Sequence, residues 1–238
     1  MKPISQLDLS LKKVIIFDFD GTLADSIEMW NRADQQLIKH FSGMVIDLET
    51  IQEQQIMFIA DYSGDDLYPS YCDFLNKQYN FNSTKTEVWD WYVRNIKRHL
   101  TEMLDYKPYA QETLRTIKSK GFKIALATNS PRQVLDALRD NKNFGTEFGN
   151  FFDLTVTASD VKKRKPAPDI YNQVLEHFGV TADQCITFED AVEGTKSAKA
   201  AGIEVINVYD QHADLDRDEI NKLADFKINS FEEVLSLL

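Results

Sequence analysis

Two aspartates follow a short apolar run near the start of the chain. The run Val14–Phe17 leads directly into Asp18, Phe19, Asp20 and Gly21. Side chains two positions apart on a strand point to the same side, so the two carboxylates share one small space. Two unpaired anions there would repel each other, and a bound cation relieves that repulsion. Mg²⁺ suits such a place because it takes oxygen ligands, including carboxylates. An Asp-Gly turn at a strand end is the simpler alternative.

A second apolar run, 122–127, ends in Thr128, Asn129, Ser130 and Pro131. Ser130 fits the N-cap of a following helix, and proline fits the first helical position. A helix N-terminus attracts anions through its free amides and its dipole, and the preceding threonine and asparagine add polar groups. On its own, ordinary helix capping is the better explanation of this loop.

The densest positive charge in the sequence is the run 162–165, which reads Lys-Lys-Arg-Lys. A run of charges is typical of a solvated surface. Lys165 differs from its neighbours because it precedes Pro166 and Pro168, which stiffen the backbone and define its position. An ammonium group near Asp18 would offset carboxylate and phosphate charge.

A further apolar run, 185–188, ends in Glu189 and Asp190. Asp190 is also suited to cap the next helix. A second acidic strand end beside Asp18 is what a cation site needs. The polar loops converge only if their strands are neighbours in one sheet, which the sequence does not establish.

The elements that carry these loops alternate between strand and helix after residue 104. Such alternation predicts a doubly wound parallel sheet of the Rossmann-like α/β class, with ligands bound beyond the carboxyl ends of its strands. The predicted strands are 14–18, 122–127, 154–157, 185–188, 204–208 and 226–228. The predicted helices of this part are 109–120, 131–139, 169–178, 191–201, 216–223 and 231–238.

The segment between the first strand and this alternating part has helical periodicity throughout. It predicts four helices, with Asp47 as the N-cap of the second and Ser83 or Thr84 as the N-cap of the fourth, where Glu87 completes a capping box. The expected organisation is an α/β core of residues 1–25 and 104–238 interrupted by an all-helical cap domain, residues 26–103. The predicted cap helices begin at residues 27, 47, 67 and 86.

Composition limits the classes of partner. The 238 residues carry a net charge of −11, which disfavours nucleic acid or an anionic membrane as a general partner. Cys72 and Cys185 are far apart in sequence, and a reducing compartment fits them better than a disulfide framework. The chain has no run of membrane-spanning length and no signal-peptide pattern. We expect a cytoplasmic protein that is a monomer or a weak oligomer.

The polar loops, taken in order, resemble the four motifs of the haloacid dehalogenase-like superfamily of phosphotransferases. The segment 188–202 resembles the branch that contains beta-phosphoglucomutase and many small-molecule phosphatases, a branch whose helical cap is inserted after the first motif. The matching motifs are Asp18-Phe19-Asp20-Gly21-Thr22, Thr128-Asn129, Lys165-Pro166-Ala167-Pro168-Asp169 and Glu189-Asp190.

This resemblance implies a role for each acid. Asp18 would be the nucleophile that forms an aspartyl phosphate, and Asp20 would protonate the leaving oxygen and then deprotonate water. Mg²⁺, the expected cofactor, would be held by Asp18, Asp190 and the backbone carbonyl of Asp20, with Glu189 acting through water.

The resemblance also implies the groups that hold the phosphoryl oxygens. Thr128 and Lys165 would be catalytic, and Asn129 would bind substrate together with Gly21, Thr22 and the same lysine. The cap would close over the site, exclude water and select the substrate, a small phosphorylated metabolite.

We therefore expect a Mg²⁺-dependent phosphatase of a small phosphomonoester. A beta-phosphoglucomutase-like sugar phosphomutase is the alternative, but Trp30 stands where the mutase has a histidine, and the loop 60–66 has no arginine for a second phosphate. Relatives often have glycine at the position of Tyr109. A dehalogenase would need no acid at Asp20. A catalytically idle binding protein on the same fold is the alternative from another class.

Overall fold

The computed structural model describes residues 1–62 and 66–238. The chain folds into two compact units. The first comprises Met1–Ser26 and Leu104–Leu238, and the second comprises Ile27–Met103. Residues 63–65, within the loop whose lack of arginine argues against a mutase, lie outside the described residues.

The first unit is built on a six-stranded sheet whose neighbouring strands are all parallel. The strands are β1 (Val14–Phe17), β2 (Lys123–Thr128), β3 (Leu154–Thr157), β4 (Cys185–Glu189), β5 (Glu204–Val208) and β6 (Phe226–Ile228). Their order in the sheet is β3-β2-β1-β4-β5-β6. The chain thus moves outward from β1 in both directions, and this reversal creates the crevice where such sheets bind ligands. The predicted doubly wound α/β fold is confirmed.

Strand register aligns the polar loops at one edge of the sheet. All residues of β1 and β4 are buried, as expected for parallel strands covered on both faces. Phe17 pairs with Leu126 on β2 and with Phe188 on β4, and the rings of Phe17 and Phe188 stack 4.7 Å apart. The residues that follow these three strands therefore emerge side by side.

The second unit contains four helices and no strand within residues 27–62 and 66–103, as the sequence predicts. Asp47 caps the second helix by accepting from the Thr50 N–H, and Thr84 forms a capping box with Glu87 at the fourth, both as predicted. The helices are α1 (Ile27–Ser42), α2 (Leu48–Asp61), α3 (Leu67–Gln78) and α4 (Lys85–Glu102).

A carboxyl group lies in the interior of this second unit. Asp34 on α1 is fully buried, and one of its oxygens accepts a 2.5 Å hydrogen bond from Gln55 Nε2 on α2. Burial raises the pKa of Asp34 to about 6, although the Gln55 amide and the nearby hydroxyls of Tyr92 and Tyr71 act in the opposite direction.

The helices of the first unit follow the predicted pattern, and most of their ends lie within one residue of the predicted bounds. The predicted helix 131–139 is α6 (Arg132–Ala137), and the terminal helix covers Glu232–Leu235 rather than 231–238. The helix α7 (Gly145–Phe151) was not predicted, because Asn and Gly between its aromatic residues hide the helical period. The helices are α5 (Ala110–Ser119), α6 (Arg132–Ala137), α7 (Gly145–Phe151), α8 (Asp169–Phe178), α9 (Val192–Ala200), α10 (Arg217–Leu223) and α11 (Glu232–Leu235).

Across residues 1–62 and 66–238, no helix is both long enough and apolar enough to cross a membrane. Both cysteines are buried and free, and Cys185 lies in the core of the sheet as predicted.

Candidate active site

Three acids from two neighbouring strands meet at the carboxyl edge of the sheet. Asp18 follows β1, while Glu189 ends β4 and Asp190 follows it. One oxygen from each lies within 4.8 Å of the others, and all three side chains are buried. The β1–β4 pairing produces this meeting because it sets Phe17 opposite Phe188.

Lys165 lies among these acids. Its ammonium donates hydrogen bonds to Asp18 Oδ1 at 2.7 Å, to Glu189 Oε1 at 2.6 Å and to the Ala127 carbonyl at 2.8 Å. The side chain is buried, whereas Lys162 and Lys163 of the same basic run are exposed. Lys165 therefore does not belong to the solvated part of the run, and its positive charge is paired with two carboxylates.

The electrostatics of the cluster reflect crowded anions in a buried place. Burial raises the pKa of Asp18 to about 7; the Lys165 ammonium works against this, while the Glu189 carboxylate adds to it. Burial and the carboxylates of Asp18 and Glu189 raise the pKa of Asp190 well above its usual range. Burial by itself would lower the pKa of Lys165, but Asp18 and Glu189 more than offset that and raise it.

Asp20 is held by two serine hydroxyls. Ser26 Oγ donates to one carboxylate oxygen at 2.6 Å, and Ser130 Oγ donates to the other at 2.5 Å. The prediction that Ser130 caps α6 is wrong, because Pro131 occupies the N-cap and the serine hydroxyl is bonded to a carboxylate instead. No pattern in the sequence predicts the hydrogen bond from Ser26 to Asp20.

Gly21 and Thr22 shape the space around Asp190. Thr22 Oγ1 donates to Asp190 Oδ1 at 2.9 Å. Gly21 has a φ of +75°, and a Cβ added there would lie 2.2 Å from Asp190 Oδ2. Glycine is therefore required for two reasons, backbone conformation and the close approach of the carboxylate. Asp190 does not cap α9, whose N-cap is Ala191.

Thr128 and Asn129 lie at the end of β2. Thr128 is buried, and its hydroxyl accepts from the Ser130 N–H at 3.0 Å. Asn129 forms a reciprocal pair with the backbone of Lys165: its Oδ1 accepts from the lysine N–H at 3.0 Å, and its Nδ2 donates to the lysine carbonyl at 3.2 Å. The asparagine side chain thus fixes the segment that carries the lysine.

Tyr171 is a site residue that the sequence analysis did not identify. Its fully buried hydroxyl donates to Glu189 Oε1 and lies 3.2 Å from Thr187 Oγ1. It lies on α8, six residues after Lys165, where an aromatic residue at helical spacing is indistinguishable from ordinary core.

The aromatic residues for which the sequence left pocket and core interpretations open pack against one another in the second unit. The rings of Trp30 and Tyr68 lie 5.7 Å apart, and those of Phe58 and Tyr62 lie 5.2 Å apart. All four are half-buried. These contacts support the interpretation that they stabilise the helical unit.

The sequence matches the family model described as haloacid dehalogenase-like hydrolase over residues 15–208. The chain therefore belongs to the haloacid dehalogenase-like hydrolase family, as its four motifs predict. One relative, a phosphorylated carbohydrates phosphatase of Thermotoga maritima, is 32% identical over 196 residues, covering 82% of this chain and 83% of the relative.

Solved structures agree on the fold. A Thermotoga maritima protein provisionally assigned as a beta-phosphoglucomutase has a TM-score of 0.72 and 26% identity, covering 94% of this chain and 98% of that one. CbbY from Rhodobacter sphaeroides, solved in complex with phosphate, has a TM-score of 0.72, 21% identity and coverage of 94% and 96%. At that identity the second likeness concerns the fold alone. Family and relatives together make the chain an enzyme of the phosphoric monoester hydrolase class, which confirms the predicted class.

Proposed function

We propose that the protein is a Mg²⁺-dependent phosphatase that hydrolyses a small phosphomonoester through an aspartyl phosphate on Asp18. The observation that carries this proposal is the buried cluster of Asp18, Glu189 and Asp190, in which the Lys165 ammonium bonds to the carboxylates of Asp18 and Glu189. Asp20, its carboxylate held by two hydroxyls, stands two residues from the nucleophile.

The chemistry takes two steps. A carboxylate oxygen of Asp18 attacks phosphorus and forms an acyl phosphate, while Asp20 gives its proton to the departing alkoxide. In the second step Asp20 takes a proton from water, and the oxygen of that water attacks phosphorus. The phosphate group leaves, and the Asp18 carboxylate and the Asp20 acid are regenerated. The two serine hydroxyls bonded to Asp20 fix the direction of its carboxyl group for the proton transfer.

The acids fit a divalent cation. Burial and neighbouring carboxylates disfavour the ionised form of Asp190, and a cation would reverse that effect. An all-oxygen donor set suits Mg²⁺. Asp18, Asp190 and the Asp20 carbonyl would hold it, with Glu189 acting through water. The bound ion would neutralise charge on the phosphoryl group and orient it.

Lys165 would supply the protein's own positive charge to the phosphoryl oxygens. All three of its ammonium hydrogens are used by protein acceptors, so a phosphoryl oxygen must replace one of these partners. Thr128 would contribute beside it at the end of β2. We assign Asn129 the task of holding the lysine segment, since its side chain is committed to that backbone.

The proposed substrate class is a small phosphorylated metabolite, and the carbohydrate-phosphate phosphatase relative makes sugar phosphates the first group to test. The structural neighbour provisionally assigned as a beta-phosphoglucomutase keeps the mutase as the alternative. Trp30 in place of a histidine, and a 60–66 segment without arginine, favour the phosphatase.

The test is hydrolysis of an aryl phosphate and of a panel of sugar phosphates, with Mg²⁺ and with EDTA. Asp18→Asn is the control, because it removes the nucleophile while keeping the shape of the side chain. Turnover no greater than that control across the panel would refute the phosphatase. Isomerisation of glucose 1-phosphate primed by a bisphosphate would favour the mutase instead. Asp20→Asn should retain substrate binding and lose turnover; near-normal turnover would exclude Asp20 as the acid and base.

A further inference from the structure

Asn207 lies at the carboxyl end of β5, opposite Glu189 in the β4–β5 register. It is fully buried. Its side-chain amide donates to two successive backbone carbonyls, that of Glu189 at 3.0 Å and that of Asp190 at 3.2 Å. One side chain thus bonds to the main chain of both acids that follow β4.

Arg217, the first residue of α10, fixes the orientation of that amide. Its Nη1 donates to Asn207 Oδ1 at 3.0 Å, and its Nη2 donates to the Asp210 carbonyl at 2.6 Å. The guanidinium also lies 4.7 Å over the ring of Tyr209. A guanidinium has only donors and a backbone carbonyl only accepts, so the asparagine oxygen must face Arg217 and its nitrogen must face β4.

These hydrogen bonds fix the direction in which the side chains of Glu189 and Asp190 leave the backbone. A carbonyl held by a hydrogen bond fixes the plane of its peptide group, and therefore the direction in which the adjoining side chains leave the backbone. Two successive peptide planes are fixed here, at the residues whose carboxylates approach Asp18. A rotation of either plane would move a carboxylate out of the cluster.

We infer that Asn207 is a positioning residue for the cation site, acting through the backbone of Glu189 and Asp190, with Arg217 holding it in place. The inference rests on the proposed function, since it assumes that these acids bind Mg²⁺. Supporting groups behind metal ligands typically change metal affinity by 10- to 100-fold when removed, so we expect an effect of about that size.

The experiment measures Mg²⁺ binding to the full chain by titration calorimetry without substrate, and then the Mg²⁺ dependence of aryl phosphate hydrolysis. Asn207→Leu keeps the size of the side chain and removes its donors. Arg217→Met leaves the asparagine in place and removes its support, so it serves as a second variant if the first fails to fold. We expect weaker Mg²⁺ binding by about 10-fold or more in Asn207→Leu and a smaller loss in Arg217→Met.

Asn141→Leu is the matched control. Asn141 is also buried in the first unit and donates to a backbone carbonyl at 3.1 Å, but that carbonyl belongs to Leu104 and not to an acid of the cluster. It should lose stability without losing Mg²⁺ affinity. Unchanged Mg²⁺ binding in the folded Asn207 or Arg217 variants would overturn the inference. If the unmodified protein binds no Mg²⁺, the proposed function fails, and this inference fails with it.

Discussion

Asp34 offers a test of the physical argument that does not depend on the catalytic chemistry. Its carboxyl lies in the interior of the helical unit, with a pKa raised by burial from 3.8 to about 6. A neutral amide of the same shape still accepts from Gln55 but carries no charge to desolvate. Asp34→Asn should therefore stabilise the second unit at neutral pH.

The size and the pH dependence of this effect follow from the two pKa values. An acid whose pKa is higher in the folded state contributes most to stability when it is protonated, and that contribution is lost as pH rises toward the folded value. The difference between 3.8 and about 6 corresponds to about 3 kcal/mol at pH 7. The advantage of Asp34→Asn should be small near pH 4, should grow as the pH rises toward about 6, and should level off above about pH 7.

The assay is urea unfolding followed by tryptophan fluorescence. All three tryptophans, Trp30, Trp89 and Trp91, belong to the second unit, so the signal reports on that unit. Asp90→Asn is the control, because Asp90 is exposed on α4 of the same unit and should give no comparable gain. An equal gain at pH 4 and pH 7, or a loss at pH 7, would refute the claim that a desolvated charge is the cause.

Two further substitutions probe the cluster of acids directly. Lys165→Ala should lower both the affinity for phosphate and the rate of hydrolysis. Lys163→Ala, in the exposed part of the same run, should leave steady-state kinetics unchanged. Equal kinetics in the two variants would show that Lys165 does not act in the site. Gly194→Ala should reduce Mg²⁺ affinity, because its Cβ would lie 1.8 Å from Glu189 Oε2. Gly149→Ala on α7 is its control, since no described atom lies within 4 Å of the added Cβ, and similar Mg²⁺ binding in both alanine variants would contradict this geometry.

The strands and helices of the α/β unit could be predicted because, along most of the first unit, the local residue preferences favour the same element that tertiary packing stabilises. The strand at residues 154–157, for example, is found within its predicted bounds, and Gly179 follows α8 in the left-handed conformation that ends a helix. The helix at Gly145–Phe151 was not predicted because its two glycines and its asparagine are typical of a loop. Buried aromatic contacts, such as Phe148 on Phe19, outweigh that preference.

Tyr109 departs from the family pattern in sequence, and the structure shows what is unusual about its backbone. It has a φ of +63°, the left-handed region in which glycine is favoured, and relatives often carry glycine there. The residue is the N-cap of α5, and its side chain is exposed. The sequence identified an unusual position, and the backbone supplies the reason.

The sequence alone indicated most of the acidic and basic residues of the candidate site and the strands that precede them, because short apolar runs and the polar loops behind them are local signals. The tertiary structure decided which of those groups meet. The strand order sets Asp18 beside Glu189, and the ion pairs of Lys165 with both show that this lysine belongs to the cluster of acids and not to the solvated run. The hydrogen bonds of Ser26 and Asn207 also belong to the tertiary structure, since a side chain that acts by contact across the fold leaves no periodic pattern in the chain.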